Sequence, residues 1–171
     1  MTKLIIPNIL RFVVLLTMQI FLFKNIGYYN LITPFPYILA ILLLPVGISN
    51  VLLFTIAFFT GLTVDIFYDS LGVHAAASSL LAWSRITFLK ITLDVENQDK
   101  NITPIPSEVT FSWLLTYLLI NTFLHHLLLL TLERFSFYQY HLTLLSCILS
   151  CIFTVLICLI FSLLMYRKKQ R

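Results

Sequence analysis

The side chains best suited to chemistry are concentrated in residues 61–85. Asp65 and Asp69 stand four positions apart there, a spacing that would put both carboxylates on one face of a helix. Paired carboxylates catalyse acid–base reactions only in a shielded site with a second catalytic element, and the sequence contains no nucleophile elbow or glycine-rich phosphate loop. We therefore expect the two aspartates either to end one helix and cap the next, or to contact a partner.

A second candidate is the adjacent pair His125-His126, in the middle of a long apolar run. Neighbouring residues of a helix point about 100° apart, so the pair cannot chelate a metal on one face. The HExxH spacing of zinc enzymes is also absent. We expect one ring to face the bundle and to form a hydrogen bond with a neighbouring helix. A proton relay is the alternative.

Three cysteines, Cys147, Cys151 and Cys158, share one apolar run without CxxC spacing. Their offsets place them on one helical face with Ser150 and Thr154, which is typical of a small-residue packing stripe and of neither a disulfide framework nor a metal site. The sequence thus predicts no catalytic, cofactor-binding or metal site, and a protein that is not an enzyme.

Small residues recur four positions apart after Gly72, as the pairs Gly72/Ala76, Ala75/Ser79 and Ser78/Ala82. This spacing lets helix backbones approach closely, because packing drives helix association in lipid. Ser78 and Ala82 share their face with Arg85. The face serves either packing within the chain or contact with a partner helix.

The composition indicates the environment in which these residues act. Of the 171 residues, 60% are hydrophobic and only 11% are charged, whereas soluble domains have about 25% charged residues. No soluble core could bury so much apolar surface, so we expect lipid to be the solvent. The net charge is +4, but the cations sit at the ends of apolar runs and form no basic face, which argues against nucleic-acid binding.

A membrane-spanning helix needs about 20 apolar residues. Pro45-Val46-Gly47 interrupts the apolar stretch 34–66, and we expect Ser107 to cap the helix that follows the polar segment 94–106. The sequence therefore predicts an all-α integral membrane protein, a six-helix transmembrane bundle with helices at about 7–24, 34–46, 48–67, 72–91, 108–132 and 139–166. The second helix is short enough to be re-entrant instead of spanning.

The placement of Lys and Arg predicts the topology, because cytoplasmic loops collect these residues. With six spans and both termini in the cytoplasm, only Lys24 and Arg134 face outward. The cytoplasmic cations are Lys3, Arg11, Arg85, Lys90, Lys100 and the tail residues Arg167, Lys168, Lys169 and Arg171. We expect the first helix to stay uncleaved, since no small-x-small site follows it.

Residues 61–85 resemble a segment of MreD, the rod shape-determining membrane protein family of bacteria. Members commonly carry Gly-x-x-x-Asp at the end of one helix, a short turn, a Gly, and a small-residue helix that ends in a basic residue. The matching positions here are Gly61, Asp65, Gly72 and Arg85. The length, the six short spans, the basic tail and an early Arg before a helix that contains Gln19 also fit the family.

This resemblance implies a scaffold of the rod-elongation machinery in the cytoplasmic membrane, which helps maintain cell shape by organising lateral peptidoglycan synthesis. The implied partner is an MreC-like protein, bound through its single helix and the base of its periplasmic domain. MreB, a RodA-type glycosyltransferase and a class B penicillin-binding transpeptidase are further implied partners, and self-association is left open. The residues expected to pack or to bind the partner are Gly61, Asp65, Asp69, Gly72, Ala75, Ala76, Ser79, Ala82 and Arg85. Arg85, Lys90 and the tail would meet anionic lipid or cytoplasmic partners.

An alternative follows from the fold, because the MreD family resembles the substrate-binding components of energy-coupling-factor transporters. The chain would then bind a vitamin-like solute in a pocket with convergent polar groups. The sequence offers only Asp65, Asp69, His74 and Asn121 for that role.

Overall fold

A computed structural model of the chain describes residues 2–26, 31–93, 103–135 and 140–164, with side chains from residue 8 onward. The predicted all-helical class is confirmed over these ranges. The helices are α1 (Thr2–Phe21), α2 (Ile38–Leu42), α3 (Asn50–Tyr68), α4 (Val73–Thr92), α5 (Phe111–Arg134) and α6 (Tyr140–Leu164). Lys100, the tail cations and most of the polar segment 94–106 lie outside the described residues.

The helices α3 to α6 begin and end close to the predicted positions, and their caps explain the differences. Ser49 caps α3 by accepting a hydrogen bond from the Leu52 N–H. Thr110, and not the predicted Ser107, caps α5, because its hydroxyl accepts from the Trp113 N–H. Ser107 instead lies in a turn, where the Glu108 N–H donates to the Ile105 carbonyl at 2.9 Å.

Four segments are long and apolar enough to cross a bilayer: Asn8–Asn25, Asn50–Tyr68, Phe111–Arg134 and Tyr140–Leu164. Large apolar side chains also cover much of the molecular surface, and among them are Val51, Phe59, Ile66, Ile152, Leu156 and Ile160. Apolar patches of this extent are not tolerated on monomeric soluble proteins. The chain is therefore a membrane protein.

The second helix differs most from the prediction. It was expected to extend over about 34–46, but α2 comprises only Ile38–Leu42. Pro34 and Pro36 precede it and Pro45 follows it, and proline lacks the N–H that helix propagation needs. The segment is thus a single helical turn between non-helical stretches.

The short α2 lies at the centre of the molecule. Ile38, Leu39, Ile41 and Leu42 have no exposed surface. Of the long helices, α3 packs against α4, α4 against α5, and α5 against α6, while α1 contacts α2 and α3. The short α2 contacts α1, α3 and α4 directly.

Candidate functional site

Asp65 connects α3 to the N-terminus of α4. Its Oδ1 accepts hydrogen bonds from the Ser70 hydroxyl at 2.6 Å and the His74 N–H at 2.9 Å, and its Oδ2 accepts from the Ala75 N–H at 2.9 Å. The His74 Nδ1 lies 3.1 Å from the same Oδ1. Helix N-termini leave N–H groups without intrahelical partners, and a carboxylate there also opposes the positive end of the helix dipole. Asp65 therefore caps α4 from a neighbouring helix.

Two glycines make this arrangement possible. A Cβ added to Gly61 would lie within 2.6 Å of the Ala75 backbone, so only glycine allows α3 and α4 to approach this closely. Gly72, the N-cap residue of α4, has a φ of +80°, a conformation that glycine adopts without steric cost. We name Gly61, Asp65, Ser70, Gly72 and His74 the α3–α4 cap.

The two aspartates do not form a pair. Asp65 is 3% exposed, whereas Asp69 is exposed at the C-cap of α3 with a φ of +55°. Of the two roles expected for these residues, the capping role is the one that the structure gives to Asp65. The expected polar contact between Asp65 and a partner is wrong, because its carboxylate is buried and occupied by its own chain. Asp69 keeps a surface position.

The small-residue face of α4 is turned mainly into the molecule. Ala75 is 2% exposed, and Ser78 and Ala82 are fully buried. Of the two roles left open for this face, packing within the chain is the one that the structure gives to Ala75 and Ala82, since their own chain covers them. Ala76 is exposed and Ser79 is half-buried, so these two remain available on the outer face of α4.

Arg85 is also internal, with 1% of its surface exposed. Its guanidinium donates hydrogen bonds to the carbonyls of Leu44 at 2.6 Å and Pro45 at 3.1 Å. The expected contact of Arg85 with lipid or a cytoplasmic partner is therefore wrong. These two carbonyls belong to the turn that follows α2, so Arg85 stabilises that turn by supplying the donor that its backbone needs.

Side chains of other helices also form hydrogen bonds with the backbone N–H and carbonyl groups of the segment around α2. The Thr33 N–H donates to Ser150 at 2.9 Å, the Phe35 N–H to Thr154 at 3.1 Å, and the Leu42 carbonyl accepts from Tyr117 at 2.8 Å. Non-helical backbone at membrane depth requires such partners. The sequence predicts only general packing for Ser150 and Thr154 and no role for Tyr117, because its one signal for them is a polar residue inside an apolar run.

Both His125 and His126 are fully buried, although only one of them was expected to face the bundle. The His125 Nε2 lies 2.8 Å from the Tyr37 hydroxyl, which in turn lies 3.1 Å from the Ser78 hydroxyl. The His126 Nε2 lies 3.1 Å from the Thr154 hydroxyl. We name His74, Tyr37, His125, His126 and Thr154 the histidine column; it joins α2, α4, α5 and α6. Within the described residues, no three His, Cys, Asp or Glu side chains converge to hold a metal ion.

The hydrogen-bond partners assign the tautomers of the neutral rings. The His126 Nδ1 lies 2.9 Å from the Thr122 carbonyl, which only accepts, so Nδ1 carries the proton and Nε2 accepts from Thr154. The His125 Nδ1 faces this N–H at 3.5 Å, which makes it the acceptor and its Nε2 the donor to Tyr37. The His74 Nδ1 faces the Asp65 carboxylate and carries the proton. The His74 Nε2 is therefore an acceptor.

A groove of about 690 Å³ separates the outer faces of α4 and α5. Trp83, Thr87 and Ile91 line one side, and Trp113, Thr116 and Ile120 line the other. The hydroxyls of Thr87 and Thr116 donate to carbonyls of their own helices. The groove thus presents an almost entirely apolar surface to its surroundings.

The polar candidates for a solute site do not meet at one place. Asp65 and His74 contact each other. The Asn121 carbonyl oxygen accepts from Ser84, and its amide donates to the Tyr117 carbonyl, while Asp69 lies on the surface. No family model, curated protein or solved structure matches the chain.

Proposed function

We propose that the chain is a non-enzymatic scaffold of the bacterial rod-elongation machinery, which organises lateral peptidoglycan synthesis through an MreC-like partner. The α3–α4 cap carries this proposal. The resemblance to MreD depends on Gly61, Asp65 and Gly72, and these residues form one structural unit: a close helix contact, an N-terminal cap and a left-handed turn. Such a unit gives a physical reason for the spacing, which supports a shared structure over a chance match.

The proposal includes six membrane crossings with both termini in the cytoplasm. Four of these crossings are the long apolar segments. The other two would be α4 and the segment 31–49, which contains α2. The contacts support this order, because Arg11 and Arg85 lie together at the carbonyl end of α2, where they reach the Leu43 and Leu44 carbonyls. Lys24 contacts the Phe67 carbonyl at the opposite end of α3. The first end would be cytoplasmic, in accordance with the positive-inside rule.

The partner helix would pack on the outer face of α4, along the groove shared with α5. Ala76 is exposed about two turns before Trp83, which is 55% exposed and lines the groove. Ser79 lies half-buried between them. Exposed Asp69 would supply the periplasmic polar contact. MreB and the wall synthases would join through this assembly, and a second copy of the chain would use the same surface if the protein self-associates.

Gentle detergent extraction of the tagged chain from its native cell tests the proposal. We expect an MreC-like protein to be recovered together with a RodA-type glycosyltransferase and a class B penicillin-binding transpeptidase. Recovery of paired ATPases with a coupling membrane protein would instead establish the transporter alternative. That alternative has less support, because Asp65, His74 and Asn121 are already occupied by contacts within the chain.

Substitutions on the exposed face of α4 test the partner surface. Ala76→Leu and Ser79→Leu should each reduce recovery of the MreC-like protein about ten-fold, the equivalent of about 1.4 kcal/mol of binding free energy, because larger side chains push helix backbones apart. Thr55→Leu is the matched control, since Thr55 is an exposed small residue of α3. Undiminished recovery with both α4 variants would contradict this surface.

A further inference from the structure

The groove between α4 and α5 changes in polarity along its length. At the end where α4 stops and α5 begins, its lining includes the hydroxyl side chains Thr92, Thr110 and Ser112. Further along α5 it is lined by Ile120 and Leu124. The same two residues also line a second cavity of about 400 Å³ between α5 and α6, to which no charged or hydroxyl side chain contributes. The groove therefore has one polar end, and its other end continues into apolar surface.

The length of the groove corresponds to one leaflet of a bilayer. Its lining residues run from Trp83 to Thr92 on α4 and from Thr110 to Leu124 on α5. At about 1.5 Å per residue, these stretches extend roughly 14 Å and 21 Å. The hydrocarbon core of a bilayer is about 30 Å thick. A spanning partner helix would need a surface through both leaflets, whereas an acyl chain from one leaflet needs a groove of this length.

A positive charge lies beside the polar end of the groove. Lys90 is exposed and follows Thr87 by three positions on α4, so the two side chains are neighbours on the helix surface. Thr87 itself lines the groove. On the α5 side, the Thr110 hydroxyl accepts a hydrogen bond from the Trp113 N–H, which leaves its proton to donate elsewhere. A lysine ammonium and hydroxyl donors together suit a phosphate group.

We propose that the groove binds one glycerophospholipid of the surrounding bilayer. Its phosphate lies between Lys90 and the hydroxyls of Thr110 and Ser112, and one acyl chain follows the apolar lining toward Leu124. Lipid and a cytoplasmic partner were the two contacts expected for Lys90, and the groove beside it favours lipid. The polar end would meet the headgroup region, because α5 is long and apolar enough to cross the bilayer and begins at this end.

This binding goes beyond the scaffold role proposed above and does not depend on it. The partner helix would pack on α4 around Ala76 and Ser79, neither of which lines the groove. Where that helix continues past Trp83, the bound acyl chain would fill the space beneath it. Close packing without voids is what stabilises helix association in lipid.

Tryptophan fluorescence of the purified full chain in phosphatidylcholine vesicles tests the proposal, because both tryptophans, Trp83 and Trp113, line the groove. Bromine atoms on an acyl chain quench a tryptophan that the chain contacts. A phosphatidylcholine with brominated chains should therefore quench with about ten-fold higher apparent affinity than a diacylglycerol with the same chains, since the diacylglycerol lacks the charged hydrogen-bond acceptor. Equal quenching by the two lipids would overturn the proposal and would indicate that another protein segment or a second copy covers the groove.

Lys90→Gln tests recognition of the phosphate. It should remove the difference between the two brominated lipids, because the ammonium that distinguishes them is gone. Lys24→Gln is the matched control, since Lys24 is an exposed cation that contacts the Phe67 carbonyl at the other end of α3, and it should preserve the difference. An unchanged difference in Lys90→Gln, or its loss in Lys24→Gln, would contradict the assigned phosphate position.

Thr116→Phe tests the path of the acyl chain by filling the groove. It should lower the quenching by the brominated phosphatidylcholine and abolish the preference for it. Thr55→Phe on α3 is the control, because Thr55 and Thr116 are both exposed and each donates to the carbonyl four residues earlier. The same preference in Thr116→Phe as in the wild type would overturn the proposed path. These measurements use the chain alone, so failure to recover an MreC-like partner would leave them unaffected.

Discussion

At the scale of single residues, Asp65 has the clearest physical role. An ionised carboxylate at membrane depth is costly, and four donor groups from Ser70, His74 and Ala75 surround this one. The N-cap residue of α4 is Gly72, which has no side chain with which to cap the helix. Asp65 replaces that missing cap from α3. The Asp65 carbonyl also accepts from the Asp69 and Ser70 N–H groups at the end of α3, so one residue takes part in both the end of α3 and the start of α4.

Asp65→Asn should lower the free energy of unfolding by about 1–3 kcal/mol. The asparagine amide has an NH₂ group in place of one carboxylate oxygen. One of the groups that now donates to that oxygen would then face another donor and stay buried without a partner. Unfolding by SDS in mixed micelles measures the change. Asp69→Asn is the matched control and should stay within about 0.5 kcal/mol of the wild type, because exposed positions tolerate substitution and asparagine accepts the positive φ found there. Equal effects of the two variants would contradict the capping role.

At the scale of elements, α2 shows what the sequence could and could not predict. Pro45 correctly placed a break within the apolar stretch 34–66, and the hydrophobic runs placed the helices α3 to α6 well. The predicted extent of α2 was wrong, because the residues next to it in the sequence do not determine where the helix begins and ends. The N–H groups that precede α2 bond to Ser150 and Thr154, more than a hundred residues away. Such pairs leave no local pattern. The same limit applies to Ala75 and Ala82, whose spacing predicted close packing but not which surface they would pack against.

The role of Arg85 at the turn after α2 can be tested by removing its charge. Arg85→Gln should lower the free energy of unfolding by about 1.5–3 kcal/mol, the usual contribution of a hydrogen bond to a charged group, because the Leu44 and Pro45 carbonyls lose their donor. Lys90→Gln is the control, since Lys90 is exposed one turn further along α4. SDS unfolding compares the two variants. A larger loss with Lys90→Gln would show that positive charge at this end matters more than the buried hydrogen bonds of Arg85.

At the scale of the whole molecule, the apolar exterior and the buried polar interior follow from one requirement. Backbone groups within a bilayer must find partners inside the protein, and α2 is flanked by non-helical stretches on both sides. The polar side chains of α1, α4, α5 and α6 are therefore gathered around it, among them Gln19, Arg85, Tyr117 and Thr154. A central, irregular segment explains why so many polar residues are buried in so apolar a sequence.

The six-crossing topology predicts on which side of the membrane two exposed positions lie. Leu71 is fully exposed in the turn between α3 and α4, and Gly47 is exposed in the turn between α2 and α3. Leu71→Cys should react in intact cells with a membrane-impermeant maleimide, whereas Gly47→Cys should react only after lysis. The native Cys147, Cys151 and Cys158 are buried and should contribute little background. Labelling of both variants from outside would show that the segment 31–49 returns to the side from which it enters, and the α2 segment would then be re-entrant.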